Sequence, residues 1–201
     1  MRLFEESENR AALYTSFLTT KGKTMFDAFI VKPKLAFQTS EDMEFWIDIH
    51  SDDITPLRKH LRRYAMRKNI RIDIISDIIK SFSVQTLSSM ESKSLSNSFE
   101  EDGSPKNLEG YFYKDLQDRA EMFESAEYPG HYETDIAAFV DPRTAAQGVR
   151  VLCAEESFEI GTDITQYRDS NQIYDLYRMS LGLLEGSNEI GNNFPLNVNL
   201  Q

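Results

Sequence analysis

Nine of the 24 residues from Ser81 to Ser104 are serine, and the stretch closes on Glu100-Glu101-Asp102-Gly103-Ser104-Pro105. So polar a run buries too little apolar surface to repay its own ordering, and it reads as a linker. Leu87, Met90, Leu95 and Phe99 give it a few points at which to dock. A linker there divides the 201 residues into two short parts. The organisation expected is α+β: a lobe over 1–85, the linker over 86–109, a second lobe over 110–186 and an extended C-terminal arm over 187–201.

Periodicity fills in each lobe. In the first, Ser7 suits a helix N-cap, and Leu13/Phe17 and Tyr14/Leu18 stand four apart, which predicts an amphipathic helix closed by Gly22. Met25 to Val31 is apolar at nearly every position and predicts a strand buried on both faces, stopped by Pro33. Glu44 to His50 alternates, which predicts a half-buried strand with Phe45, Ile47 and Ile49 inward and Trp46, Asp48 and His50 outward. Pro56 opens a helix with the stripe Leu57, Leu61, Tyr64 and Ala65. A further helix is expected from about Ser76, using Ile75, Ile78, Ile79 and Phe82.

The second lobe opens with a helix over about 113–127, then a strand from Tyr132 to Val140. Asp141-Pro142-Arg143 reads as a capped turn closed by Gly148, followed by strands at Val149 to Cys153 and about Phe158 to Ile160. A last helix, about Ser170 to Glu185, carries Ile173, Leu176, Tyr177, Leu181 and Leu184 as its apolar stripe. Both halves thus read helix, strand, strand, helix, a pattern coarse enough to arise in α+β domains without duplication.

Several classes are excluded. The longest uninterrupted apolar run is Ile136 to Val140, far short of the ~18 residues of a spanning helix, so no membrane partner is expected. The first residues turn acidic at Glu5, Glu6 and Glu8, unlike a secretory signal or a transit peptide. Cys153 is the only cysteine, which removes any intramolecular disulfide and points to a reducing, cytoplasmic setting. Walker, dinucleotide-binding, Gly-x-Ser-x-Gly and His-Glu-x-x-His patterns are all missing, so no catalytic residue and no cofactor is assigned.

The sharpest local feature is cationic. Arg58, Lys59, Arg62, Arg63, Arg67, Lys68 and Arg71 fall within 14 residues that contain no acid. Spacings of four gather them on one side of a helix, opposite Leu57, Leu61 and Tyr64. The charge of −11 hides this asymmetry: residues 1–90 carry 14 basic and 12 acidic side chains, and residues 91–201 carry 8 and 21. Acids at 115, 118, 121, 124 and 127 form a ridge on the helix over 113–127. Such a ridge is ordinarily a solvated face, and it also resembles a phosphate backbone in charge.

These features predict a non-enzymatic subunit of an assembly, in a viral particle and so in host cytoplasm or virion. Its expected partner-binding residues are the seven cations together with Phe194 and Leu196 of the arm. The partners are proteins or copies of the chain itself, with nucleic acid the less favoured ligand. A second expectation is a regulatory or inhibitory protein that binds nucleic acid through residues 58–71 or mimics it through 113–127. A third is a metal-dependent hydrolase centred on Asp48, His50 and Asp52, whose spacing places polar donors along one strand face. His131, Glu133 and Asp135 repeat that alternation.

Overall fold

Alternation with a period of two organises the first part of the chain. The computed structural model describes residues 12–33, 43–66, 68–84, 120–121, 135–154 and 171–195. Ala12–Leu18 forms β1 and Thr24–Val31 forms β2, paired antiparallel with Ala12 opposite Val31 and Tyr14 opposite Phe29. The helix expected from Ser7 is therefore a strand over its described part. Its four-residue spacings fit either structure, because positions i and i+4 share a strand face as readily as a helix face. Tertiary pairing decides for the strand: the backbone bonds Thr19 N–H to Lys23 O (2.7 Å) and Gly22 N–H to Thr19 O (2.9 Å) close a hairpin with β2.

β2 is buried along most of its length, as its apolar run requires, and lies between β1 and β3. Trp46–Asp48 forms β3, antiparallel to β2, with Trp46 opposite Val31 and Asp48 opposite Phe29. Its phase is the reverse of the one expected. Trp46 is buried, whereas Phe45 and Ile47 are exposed. The indole fills the space beside Val31 and satisfies its N–H on Glu44 Oε1 at 2.8 Å, and Asp48 finds a buried cation described below.

A 3-10 turn at Ser51–Asp53 leads into α1, Ile54–Ala65, the helix opened by Pro56. Only Leu57 of its apolar stripe is fully buried, and Tyr64 is exposed. Past it, Ile79–Val84 forms strand β4 where a helix is expected; Ile75/Ile79 and Ile78/Phe82 again stand an even number apart. β4 pairs antiparallel with β6, Val149–Ala154, which also pairs with β5, Ile136–Val140. The second sheet, β4-β6-β5, thus joins strands from both sides of the serine-rich stretch. The first residues of that stretch, Ser81–Val84, are thus strand rather than linker, because they pair with β6; the rest of it and the boundaries at 86 and 109 lie outside the described residues, as do most of the helix over 113–127 and the strand near 158–160.

The two sheets face one another. Ala12, Phe29, Val31 and Trp46 of the first pack against Ala137, Phe139 and Leu152 of the second. The far face of the second sheet, Ile136, Ala138, Val140, Val149, Val151 and Cys153, is covered in part by Ala120. β5 is therefore buried on both faces, which is why its five residues form the longest apolar run of the chain. Mixed α+β architecture is borne out.

After β6, Asn171–Ser180 forms α2 and Gly186–Ile190 forms α3. The stripe expected on α2 is displaced: Tyr174 and Arg178 point inward, and Leu176 is exposed. The arm expected to be extended from 187 begins as helix, and Ile190 is fully buried. Gly186 has φ +77°, and a Cβ there would lie 2.9 Å from His50 Cγ. Gly182 has φ +73° with open space around it. Gly182→Ala is expected to cost only the left-handed backbone, ~1–2 kcal/mol. Gly186→Ala adds a clash with a ring attached to the start of the 3-10 turn and should cost measurably more in urea unfolding.

Candidate functional site

Two apolar strands each carry a charge on the face turned toward the opposite sheet. In β2, Asp27 shares its face with Phe29 and Val31; in β6, Arg150 shares its face with Leu152. A charge in that position must be paired or neutralised, since desolvating it alone costs several kcal/mol.

Arg150 is paired on every side. Its Nη1 donates to Asp48 Oδ2 at 2.7 Å, and its Nη2 donates to Tyr174 Oη at 2.6 Å and Glu185 Oε1 at 3.0 Å. The guanidinium lies 4.5 Å from the centroid of Phe29, close enough for the ring face to attract it. Ser81 Oγ of β4 donates to the same Asp48 oxygen at 3.1 Å. The register makes this geometry possible: Tyr14, Phe29 and Asp48 are successive partners across the first sheet, and Phe139 and Arg150 are partners across the second.

Arg143 stands over the same ring, 4.8 Å from Phe29 and 5.4 Å from Tyr14. Its side chain is 4% exposed and grips Asp141 in bidentate fashion, Nε to Oδ1 at 3.0 Å and Nη2 to Oδ2 at 2.7 Å. The Arg143 N–H also donates to Asp141 Oδ1, at 2.9 Å, the capped turn expected of Asp-Pro-Arg. Arg143 Nη1 is 2.8 Å from Glu185 Oε1 as an ion pair but out of line for a hydrogen bond.

Protonation follows from this packing. Burial opposes ionisation of Glu185, but the guanidiniums of Arg150 and Arg143 overcome it and hold its carboxyl below the usual range. Burial pushes the Tyr174 hydroxyl up to about 12, so it remains a donor, to Glu185 Oε1 at 2.6 Å. Burial also raises Asp27, against the opposing hydrogen bonds from the Gly186 N–H (2.9 Å) and Tyr14 Oη (3.0 Å). A second anchor holds the same segment: Asp53 accepts from Ser187 N–H at 2.7 Å and from Ser187 Oγ at 2.5 Å. Arg178 completes it, donating to Glu189 at 2.6 and 2.5 Å and to Asp175 at 3.0 Å. The cluster is thus a set of arginines saturated by the chain's own carboxylates, and its chemistry is positioning: it binds both sheets, α2 and the 185–189 segment to one another.

None of these arginines was among the residues singled out by sequence reasoning. The signal available was a lone charge inside an apolar strand, Arg150 in Val149-Arg150-Val151-Leu152 and Asp27 in Met25-Phe26-Asp27-Ala28-Phe29. Of the cations that were singled out, Arg58, Lys59, Arg62 and Arg63 lie on α1, which ends at Ala65. Lys68 and Arg71 lie beyond the helix, and Arg67 is outside the described residues. Arg58 is half-buried, with Nε unpartnered; Arg71 pairs with Asp73. Phe194 is partly exposed with Lys23 Nζ 5.9 Å from its centroid, and Leu196 lies outside the described residues. Asp48, His50 and Asp52 do not converge, because Asp48 is committed to Arg150, and His50 Nδ1 accepts the Asp52 N–H at 3.4 Å. Among the described residues no three His, Cys, Asp or Glu are grouped so as to hold a metal ion. His131 and Glu133 are outside them.

No protein-family profile matches the chain. It is 26% identical over 195 residues to the mitochondrial iron–sulfur cluster assembly factor IBA57 homolog of Neurospora crassa, a match covering 96% of this chain and 37% of that protein. It is 30% identical over 80 residues to the IBA57 homolog of Aspergillus oryzae, covering 37% and 18% respectively. With the IBA57 homolog of Neosartorya fischeri it shares 27% identity over 71 residues, or 34% and 16%. The chain spans little more than a third of the length of the relatives it matches. These likenesses overturn the viral structural subunit, the nucleic-acid regulator and the metal-dependent hydrolase, and they overturn the cytoplasmic or virion location, since the relatives are mitochondrial assembly factors.

Arg150→Met leaves Asp48 and Glu185 without their chief counter-charge and should cost ~3–5 kcal/mol in denaturant unfolding, with little recovery in Arg150→Lys, which lacks the planar fork. The effect should depend on pH. The folded pKa of Glu185 lies below its unfolded value, so its stabilisation is complete above the ordinary glutamate range and is lost as pH falls through the folded value. The gap between wild type and Arg150→Met should therefore narrow below about pH 4.5; a gap constant with pH would refute the pairing.

Proposed function

We propose that this chain is an iron–sulfur cluster assembly factor of the mitochondrion that acts by holding protein partners, the cluster being cargo ligated elsewhere. The observation that carries this reading is the match to the Neurospora crassa assembly factor, which runs through 96% of the chain and so through both sheets and the buried arginine cluster. Protein contacts were the partners expected from sequence, and assembly by contact suits a fold whose charged interior is turned on itself.

The residues present do not fit a cluster site within the chain. Iron–sulfur clusters are held chiefly by several cysteine thiolates, and Cys153 is the sole cysteine. It is fully buried in β6 among Val149, Val151 and Ile136, and burial pushes its thiol up to about 11, away from the thiolate a metal needs. Cys153 is thus a small apolar core side chain.

Cells deprived of the gene should lose activity of mitochondrial iron–sulfur enzymes, and the tagged chain should fractionate with mitochondria. Normal enzyme activity in those cells would refute the assembly role. Cys153→Ala should restore activity as well as the wild-type gene does, and the purified chain incubated with iron and sulfide should develop no cluster absorption. A folded Cys153→Ala chain that failed to rescue would refute the non-ligating role alone.

A further inference from the structure

We propose that α1 and the segment leaving it, residues 59–66 and 68–78, form a docking surface for a protein partner that presents carboxylates beside apolar side chains. The inference goes beyond the assembly reading and does not depend on the partner's cargo.

Two independent observations meet in this stretch. The first is charge: Lys59, Arg62, Arg63 and Lys68 are exposed, and no carboxylate among the described residues pairs with them. Arg62 and Arg63 lie in the last turn of α1, where they complement the helix dipole, but that local benefit leaves their charge facing solvent. The second is apolar exposure. Tyr64, Met66, Ile70 and Ile78 are all exposed, Met66 at 82% and Ile78 at 66%. Single exposed apolar residues are ordinary, whereas here Tyr64, Met66 and Ile70 stand exposed within seven residues at the end of α1. The helix meets the body through buried Leu57 and the edge of His60 against Phe26, centroids 6.5 Å apart. Asp73 and Asp77 are the acids of the stretch: Asp73 is engaged by Arg71, and Asp77 is exposed.

The mixture selects the kind of partner. Arginine, tyrosine and methionine are enriched at protein interfaces, and Arg and Tyr supply most hot spots. Phosphates would use the cations but leave Met66, Ile70 and Ile78 in water. A nucleic acid would also extend well past the ~8 Å over which these cations act at physiological salt and would meet a chain whose net charge is −11. A short acidic segment with an apolar face uses both halves of the surface and stays within reach of its charge.

The test uses the full chain and three fluorescent probes: an amphipathic peptide with leucine on one face and glutamate on the other, a polyglutamate peptide without leucine, and a 20-mer single-stranded DNA. The leucine–glutamate peptide should bind tightest. Arg62→Glu with Arg63→Glu should weaken it about tenfold or more, and so should Ile70→Ser with Ile78→Ser. Thermal stability of the charge-reversed chain should fall only slightly, by the helix-dipole share of two exposed last-turn cations. Tighter binding of the DNA would assign the surface to nucleic acid and overturn the proposal. Equal binding of polyglutamate would overturn its apolar half. A loss of stability as large as that of Arg150→Met would mean that the chain's own carboxylates occupy the surface and would overturn the proposal, and so would failure of the leucine–glutamate peptide to bind.

Discussion

The structure turns on one buried cation. Arg150 sits on a central strand, on the face where two sheets meet, and no side chain carries its charge more permanently. The fold therefore had to bring counter-charge to it. Asp48 comes from β3, Glu185 and Tyr174 come from the C-terminal part of the chain, and the face of Phe29 closes the space between. Each contribution constrains an element: the phase of β3, the rotation of α2, and the position of the segment that opens α3. A hydrophobic residue at 150 would pack without asking for any of this.

The consequence for the C-terminal part is a segment held mainly by polar contacts. Gly186 and Ser187 present their N–H groups to Asp27 and Asp53, and Arg178 ties α2 to Glu189. These carboxylates come from β2 and the turn before α1, so residues distant in sequence are locked to the same framework. Such an interior presents little to a substrate, and the exposed cations and apolar side chains lie outside it, on α1 and the residues that follow.

Legibility in the sequence tracked how local each cause was. The Asp141-Pro142-Arg143 turn, the Pro56 helix start, the doubly buried run of β2 and the strand ending at Val140 rest on neighbours within a few residues, and each was readable. Residues 12–18 and 79–84 were not, because the pairs Leu13/Phe17, Tyr14/Leu18, Ile75/Ile79 and Ile78/Phe82 stand four apart, a spacing that satisfies a helix and a strand alike; the partner strand decided. For β3 the obvious rule, apolar inward, pointed the wrong way, since Asp48 and Trp46 had partners on the opposite sheet and in the core. The buried arginines escaped notice for a related reason: a positive charge attracts attention when clustered at a surface, whereas a single one inside an apolar strand has meaning only once its carboxylates are found.

By itself the sequence determined that the chain is α+β, that its elements are short, that its one cysteine cannot assemble a thiolate site, and that a cationic helix follows Pro56. Those conclusions rest on composition, periodicity and local backbone preference, which act over a turn of helix or a few strand residues. Only the tertiary structure decided which face of β3 is inside, that β4 pairs with β6 across the serine-rich stretch, that Asp48, Asp141 and Glu185 serve as internal counter-charges, and that Asp27 and Asp53 accept from the backbone of Gly186 and Ser187. Those outcomes depend on pairing between residues up to 159 apart in sequence, and the cost of a buried unpaired charge is felt only when the sheets close over it.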